Sequence, residues 1–212
     1  MTDQQAKLTW TDTGVPVSTR FDDPYFSLGN GLAETEHVFL AGNDLPGRFK
    51  DGFHIAELGF GTGLNFLAAL SAFRASGCGG QLFFTSFEAF PMAEADRARA
   101  LAHYTDLPID ALRDADDAVL TVIQGDARDT LAMWQGRADA WFLDGFSPAK
   151  NPELWEGDLM QQVAAHTKPG GTAATYTAAG FVRRNLETAG FAVTRAPGFG
   201  RKRHMTRAVL TT

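Results

Sequence analysis

Four carboxylates in this chain stand where a ligand can meet them. Glu57 lies near the end of the apolar run FHIAEL, Glu88 closes LFFTSFE, and Asp126 follows AVLTVIQG. Asp144 terminates DAWFL and is followed by Gly145, Phe146 and two prolines, Pro148 and Pro152. A single acid after an apolar run is usually a solvated strand end. Three at the ends of successive runs, plus a fourth in a turn stiffened by prolines, describe instead the rim of a pocket. In that turn Asp144 and Phe146 set an acid and an aromatic ring at the mouth of a sheet.

Between the first run and the next element lies ELGFGTGLNF, in which Gly59, Gly61 and Gly63 follow G-x-G-x-G. Glycines there admit positive φ and let a ligand approach the backbone, and the helix that follows offers free N–H groups. The dinucleotide fingerprint is G-x-G-x-x-G; its last position here is Leu64, so the register fails, and no G-x-x-x-x-G-K-[ST] is present. The remaining candidate is S-adenosylmethionine, which has no phosphate but carries a carboxylate, an ammonium, a ribose and an adenine. Its expected contacts are Glu57, Gly59, Phe60, Gly61, Thr62, Gly63 and Asn65 around the loop, Glu88 for the ribose hydroxyls, and Asp126 with the Ala127 backbone for the adenine. Asp144 is expected beside the same ligand. Glu57 either faces the donor's cationic end or supports the loop from behind.

These residues need a scaffold. Strands are predicted at 53–58, 82–88, 118–124, 139–143 and 172–177, with a final antiparallel pair at 191–195 and 203–210. Helices are predicted at 63–75, 92–103, 128–135, 153–166 and 179–189. Alternation of β and α with nearly continuous apolar strands gives an α/β domain whose parallel sheet is covered on both faces. Such sheets bind ligands at the carboxyl ends of their strands. Residues 1–52 break the alternation and hold a possible hairpin and a helix near 31–40. They read as an N-terminal extension packed on the domain formed by 53–212, with no second domain.

The 212 residues carry a net charge of −6, distributed unevenly. From Arg183 onward seven basic residues (Arg183, Arg184, Arg195, Arg201, Lys202, Arg203, Arg207) face one acid, so that end is +6 and the rest −12. A basic end on an acidic body suits a polyanion, and also suits a solvated last strand. A single cysteine, Cys78, excludes an internal disulfide and fits a reducing cytoplasm. No apolar stretch approaches a membrane span, and the N-terminus lacks a signal-peptide core. The five histidines have no metal-ligand spacing, so no metal is expected, and no G-x-S-x-G elbow supports hydrolysis.

The motifs FDDPYFSLGNGLAETEHVFL, ELGFGTGLNF, SFEAFP, DAWFLDGFSPAKNPELW, PGGTAATYTAAGFVRRNLETAGF and GFGRKRHM together resemble the methyltransferase domain of the MnmC family, over residues 15–207 or so. The glycine loop is common to many methyltransferases; LDGFSPAKNP and AGFVRR…GFGRKR are more specific. The resemblance implies a class I, Rossmann-like methyltransferase fold, a seven-stranded mostly parallel sheet with a C-terminal antiparallel strand. It implies methylation of the 5-aminomethyl group of a wobble 2-thiouridine in transfer RNA, with the anticodon region as partner. In many bacteria this domain is fused to a flavin-dependent oxidase; no second nucleotide loop occurs here, so no oxidase is expected within this chain.

With an amine as acceptor, Asp144 is the expected catalytic residue. An ordinary aspartate, near pKa 3.9, is a weak base, so its expected task is to accept a hydrogen bond and aim the nitrogen lone pair. Phe146 is expected to stack on the base or wall the pocket, and Tyr176 to line it. Lys150, Arg183, Arg201, Lys202 and Arg203 are expected to meet phosphates, with Arg184 extending the patch, and the Asn30–Gly31 turn to close over the donor. An N-methyltransferase for another amine and a non-catalytic RNA-binding module stay open as alternatives.

Overall fold

The structure, a computed structural model, describes residues 5–26 and 30–211. Ser27, Leu28 and Gly29 of the FDDPYFSLGN stretch therefore lie outside the described residues. The chain opens with three short strands, β1 (Leu8–Trp10), β2 (Pro16–Ser18) and β3 (Asp23–Pro24), paired antiparallel in that order. The hairpin expected in the extension is thus a three-stranded sheet. Helix α1 (Gly31–Thr35) follows, capped by the Asn30 side chain, and runs on through a π turn at Glu36–Leu40 and a 3-10 turn at Ala41–Asn43.

Seven strands then form one sheet: β4 (Phe53–Leu58), β5 (Leu82–Glu88), β6 (Ala118–Gln124), β7 (Ala138–Leu143), β8 (Thr167–Thr175), β9 (Phe191–Pro197) and β10 (His204–Leu210). Their order is β6-β5-β4-β7-β8-β10-β9, and only β10 runs against the others. The chain builds outward from β4 through β5 to β6, then returns to place β7 on the other flank of β4. That reversal opens a crevice at the carboxyl ends of β4 and its neighbours, where ligands of such sheets bind.

Alternation along the strands fills both faces. Phe53 and Ile55 of β4 and Phe142 of β7 join one core with helix α2 (Leu64–Ser76) and the buried Val38, Phe39 and Leu40. Leu58, Trp141 and Leu143 join the other core, under α4 (Ala127–Met133), α5 (Gly157–Ala165) and α6 (Gly180–Thr188). The edge strand β6 departs from the expected coverage, leaving Val119 and Val122 exposed. Helix α3 (Glu94–Leu101) is shorter than predicted. The predicted helix at 153–166 is a 3-10 turn, Pro152–Trp155, followed by α5. Strand β8 starts earlier than predicted because its KPGG segment is absorbed as an irregularity: Ala138 pairs with Thr167 but Ala140 with Thr172.

The extension is bonded into this frame. Asn43, fully buried, donates to the carbonyls of Phe39 and Trp141 and accepts from the Thr172 hydroxyl. Arg48 donates to the carbonyls of Asn43 and Asp139 and to the Thr172 hydroxyl. Among the described residues no helix is long and apolar enough to cross a membrane.

One contact fixes the crevice. Gly59 leaves β4 at φ +89°, its N–H bonded to the Phe87 carbonyl, and a Cβ on it would lie 2.2 Å from the carbonyl oxygen of Asp144. The glycine loop and the Asp144 turn therefore touch backbone to backbone. Replacing Gly59 by alanine is expected to cost roughly 2 kcal/mol or more, from a left-handed backbone and a collision with an atom that cannot rotate away. Thermal melting of Gly59→Ala should drop by about 4 °C or more; an unchanged melt would show that β4 and β7 part freely here.

Candidate active site

Helix α2 begins directly after the glycine loop, so its second residue, Asn65, reaches back over the sheet end. Its Oδ1 accepts from the Thr35 hydroxyl at 2.7 Å, and its Nδ2 donates to Glu57 Oε1 at 2.9 Å and to Asp144 Oδ2 at 2.7 Å. The other Glu57 oxygen is 2.6 Å from the Ser86 hydroxyl. Glu57 is wholly buried, and burial pushes its carboxyl up to about 8, against the Ser86 and Asn65 hydrogen bonds that favour the charged form. Burial likewise pushes Asp144 up to about 7; the Asn65 hydrogen bond and nearby Lys202 pull it down, and Glu34 pushes it further up. The expectation of an ordinary, weakly basic aspartate fails for that reason. At neutral pH this carboxylate is poised to take a proton.

A cavity of about 450 Å³ opens at these strand ends. Gly59, Phe60, Gly61, Thr62, Asn65 and Asp144 contribute to its wall, as do Glu88, Asp126 and Ala127. Glu88 holds the loop, accepting from the N–H of Gly61 at 3.0 Å and of Phe90 at 2.7 Å. Its pKa is raised by burial in spite of those bonds. Asp126 caps α4 through the Arg128 N–H and forks with the Arg128 guanidinium, which holds its carboxyl below the usual range. Two expected contacts do not reach the cavity. Glu57 stands behind Asn65, in the supporting position. Gly63, at φ +81°, faces Leu112 and Phe60 and serves the start of α2.

The acceptor side is walled by rings. Phe146 lines the cavity, stacks on Phe21 with centroids 4.7 Å apart and meets the edge of Tyr25 at 5.1 Å. Trp155 donates its indole N–H to the Phe146 carbonyl, and Asp23 accepts from the Ser147 N–H at 2.8 Å. Lys150 does not stand free for a phosphate: its ammonium is bound by Asp22, with Oδ2 at 3.1 Å, and lies 4.0 Å from Asp23 Oδ1. Lys202 is similarly engaged. It lines the cavity, 2.7 Å from Glu34 Oε1 and 4.0 Å from the centre of the Tyr176 ring. Tyr176 donates its hydroxyl to the Gly145 carbonyl at 2.7 Å. Arg184, Arg201 and Arg203 are exposed, and none of them nor Arg183 forms an ion pair among the described residues. Asn30 caps α1, and Gly31 lines the cavity. Glu34, Tyr25 and Arg128 went unnoticed in the sequence; only the acid-rich GLAETE, with Glu34 one turn into an asparagine-capped helix, offered a signal.

A protein-family model described as S-adenosyl-L-methionine-dependent methyltransferase matches residues 94–211, more than half of the chain. The chain belongs to this methyltransferase family. It is 47% identical over 225 residues to the tRNA 5-methylaminomethyl-2-thiouridine biosynthesis bifunctional protein MnmC of Pseudomonas aeruginosa, covering 95% of the chain and 34% of that protein. The MnmC of Caulobacter vibrioides is 45% identical over 95% of the chain and 37% of its own length. The methyltransferase thus spans about a third of the length of the curated relatives it matches, as the motif resemblance to the MnmC methyltransferase domain implied. Among solved structures, MNMC2 from Aquifex aeolicus superimposes with a TM-score of 0.78 at 28% identity, over 97% of this chain and 70% of that one. A methyltransferase from Pyrococcus furiosus shares the fold alone, with a TM-score of 0.54 at 14% identity.

The residues present fit the donor that the family name carries. The cavity is large enough for a nucleoside-sized ligand. Glu34, Glu88, Asp126 and Asp144 make its lining acidic, suited to a molecule with a sulfonium and an ammonium. Glu88 spends one lone pair of each oxygen on the loop and keeps others for hydroxyl donors.

The raised carboxyls make stability depend on pH. A group whose folded pKa lies above its unfolded value stabilises fully below the unfolded pKa and loses that contribution as pH rises through the folded one. For Glu57 and Asp144 the loss runs from ordinary carboxylate pH to about 8 and about 7. Glu57→Gln keeps the Asn65 and Ser86 contacts and removes the titration. Its melting temperature should match the unchanged chain near about pH 5 and exceed it by several degrees near about pH 9. A pH-independent difference between the two would rule out an ionisable cause.

Proposed function

We propose that this chain is an S-adenosylmethionine-dependent N-methyltransferase whose acceptor is the 5-aminomethyl group of a wobble 2-thiouridine in transfer RNA, giving 5-methylaminomethyl-2-thiouridine. The observation that carries this reading is Asp144: a carboxylate lining the donor cavity, aimed by Asn65 and held near neutrality. The names of the MnmC relatives, which match over nearly the whole chain, supply the acceptor.

Bound donor supplies an electrophilic methyl group on a sulfonium. The chain supplies the rest. An alkylamine in water is an ammonium with no free lone pair, its pKa near that of lysine, about 10.4. Asp144 takes one N–H proton, and the bonding pair stays on nitrogen as the nucleophilic lone pair. An Asp144 at about 7 does this at neutral pH far better than one at its ordinary value. Asn65 holds the carboxylate through Oδ2, leaving Oδ1 for the acceptor, and Thr35 and Glu57 hold Asn65, so the geometry is set before the acceptor arrives. Phe146, Phe21 and Tyr25 screen the site from water. Arg201 and Arg203, with Arg183 and Arg184, supply cationic charge for the RNA backbone. Lys150 would first have to leave Asp22 and Asp23.

The test is nucleoside mass analysis of transfer RNA bearing aminomethyl-thiouridine after incubation with the protein and donor. One added methyl at the wobble position is expected. Asp144→Asn should keep donor binding yet lose about 100-fold or more in turnover, and turnover of the unchanged chain should fall as pH drops below about 7. Donor binding without methylation of this RNA would move the acceptor to another amine. Near-normal turnover by Asp144→Asn would remove Asp144 from the chemistry.

A further inference from the structure

Lys202 sits in surroundings that recognise amines in general. Its ammonium lies 2.7 Å from the Glu34 carboxylate and 4.0 Å from the centre of the Tyr176 ring. A carboxylate beside the electron-rich face of an aromatic ring is the chemistry that holds an alkylammonium. Both groups are fixed. The Glu34 side chain is only 13% exposed and belongs to the short helix whose next residue, Thr35, bonds to Asn65. The Tyr176 ring is pinned by its hydroxyl on the Gly145 carbonyl, next to Asp144. Asp144 feels the charges of both Glu34 and Lys202, so the box and the base share one cavity.

The occupant is less firmly held than the box. The Lys202 side chain is 45% exposed and rises from an exposed turn between β9 and β10. Its chain neighbours, Arg201 and Arg203, have no acidic partner among the described residues. Exposed pairs of this kind contribute little and exchange readily.

We propose that Glu34 and the Tyr176 face form the subsite for the acceptor's ammonium, and that Lys202 occupies it as a resident cation until the acceptor displaces it. This rests on the amine acceptor proposed above and adds a division of labour. Glu34 holds the positive charge of the incoming group. Asp144 removes its proton, breaking N–H and leaving the electron pair on nitrogen. A phosphate backbone that draws Arg201 and Arg203 outward draws Lys202 out with them, so RNA docking empties the subsite. An isolated nucleoside has no backbone with which to do this and must compete with Lys202 directly.

The probe is therefore the free nucleoside 5-aminomethyl-2-thiouridine, titrated calorimetrically in the presence of adenosylhomocysteine, with methylation by mass analysis as a second readout. Lys202→Met keeps the stem and removes the charge. It is expected to bind the nucleoside about tenfold or more tighter than the unchanged chain and to methylate it faster. The neutral 5-hydroxymethyl analogue should gain nothing. Adding Glu34→Gln should abolish the gain; if that double variant fails to fold, the comparison with the neutral analogue decides. Equal or weaker binding by Lys202→Met, equal gains for both nucleosides, or no measurable binding by either protein would overturn the subsite. Normal methylation of whole transfer RNA together with any of those results rejects the subsite alone. A gain in amine affinity without methylation of transfer RNA rejects the RNA acceptor and keeps the subsite.

Discussion

The side-chain amide of Asn65 is the joint on which the site depends. Through one oxygen and one nitrogen it ties the extension (Thr35), the first sheet strand (Glu57) and the Asp144 turn. Each group it touches was delivered by a different segment, and none is adjacent to another in sequence. An amide is the side chain that can do this, because it accepts on one side and donates twice on the other. Aspartate would add a third carboxyl and remove the donor that the other two share. Leucine would leave the Asp144 carboxyl, one Glu57 oxygen and the Thr35 hydroxyl without the partner Asn65 gives them, a costly state in a low-dielectric interior.

Around that joint the protein holds acids away from the water that would keep them charged. Glu57 and Asp144 share the Asn65 donor, and burial, to which the Asp144 charge adds at Glu57, raises both carboxyls well above the ordinary carboxylate range. The sheet tolerates the arrangement because its two apolar cores, one on each face, are built from the same strands that carry these groups. Trp141 and Leu143 anchor β7 in one core and Phe142 in the other, and Asp144 is the next residue along. The apolar run WFL thus fixes where the acid stands, and the Pro-rich turn after it is held by Trp155, Asp23 and Tyr176.

Much of this was legible because it is local. Apolar runs bounded by Gly, Asp and Glu located every strand of the main sheet, and the spacing of Gly59, Gly61 and Gly63 placed the loop that Glu88 grips. What escaped was pairing across distance. Lys150 and Lys202 look like spare cations in sequence, yet their carboxylates lie on the extension, in Asp22, Asp23 and Glu34. Arg207 is likewise bound to Asp44. A net charge of +6 over the last thirty residues therefore overstates what a polyanion meets. The basicity of Asp144 escaped for a related reason, since it comes from burial that only the folded cavity imposes.

The acids at 22, 23 and 34 leave a ribosome well before their partners, Lys150 and Lys202. Asp22 bonds to a lysine 128 residues later, and Glu34 to one 168 residues later. Neither contact can form until its lysine has emerged. Glu34 stays without its partner until the turn between β9 and β10 has emerged, after six of the seven strands of the main sheet. Such long loops are slow to close and are rewarded late, so the pairs that tie the extension to the cavity rim form late in folding.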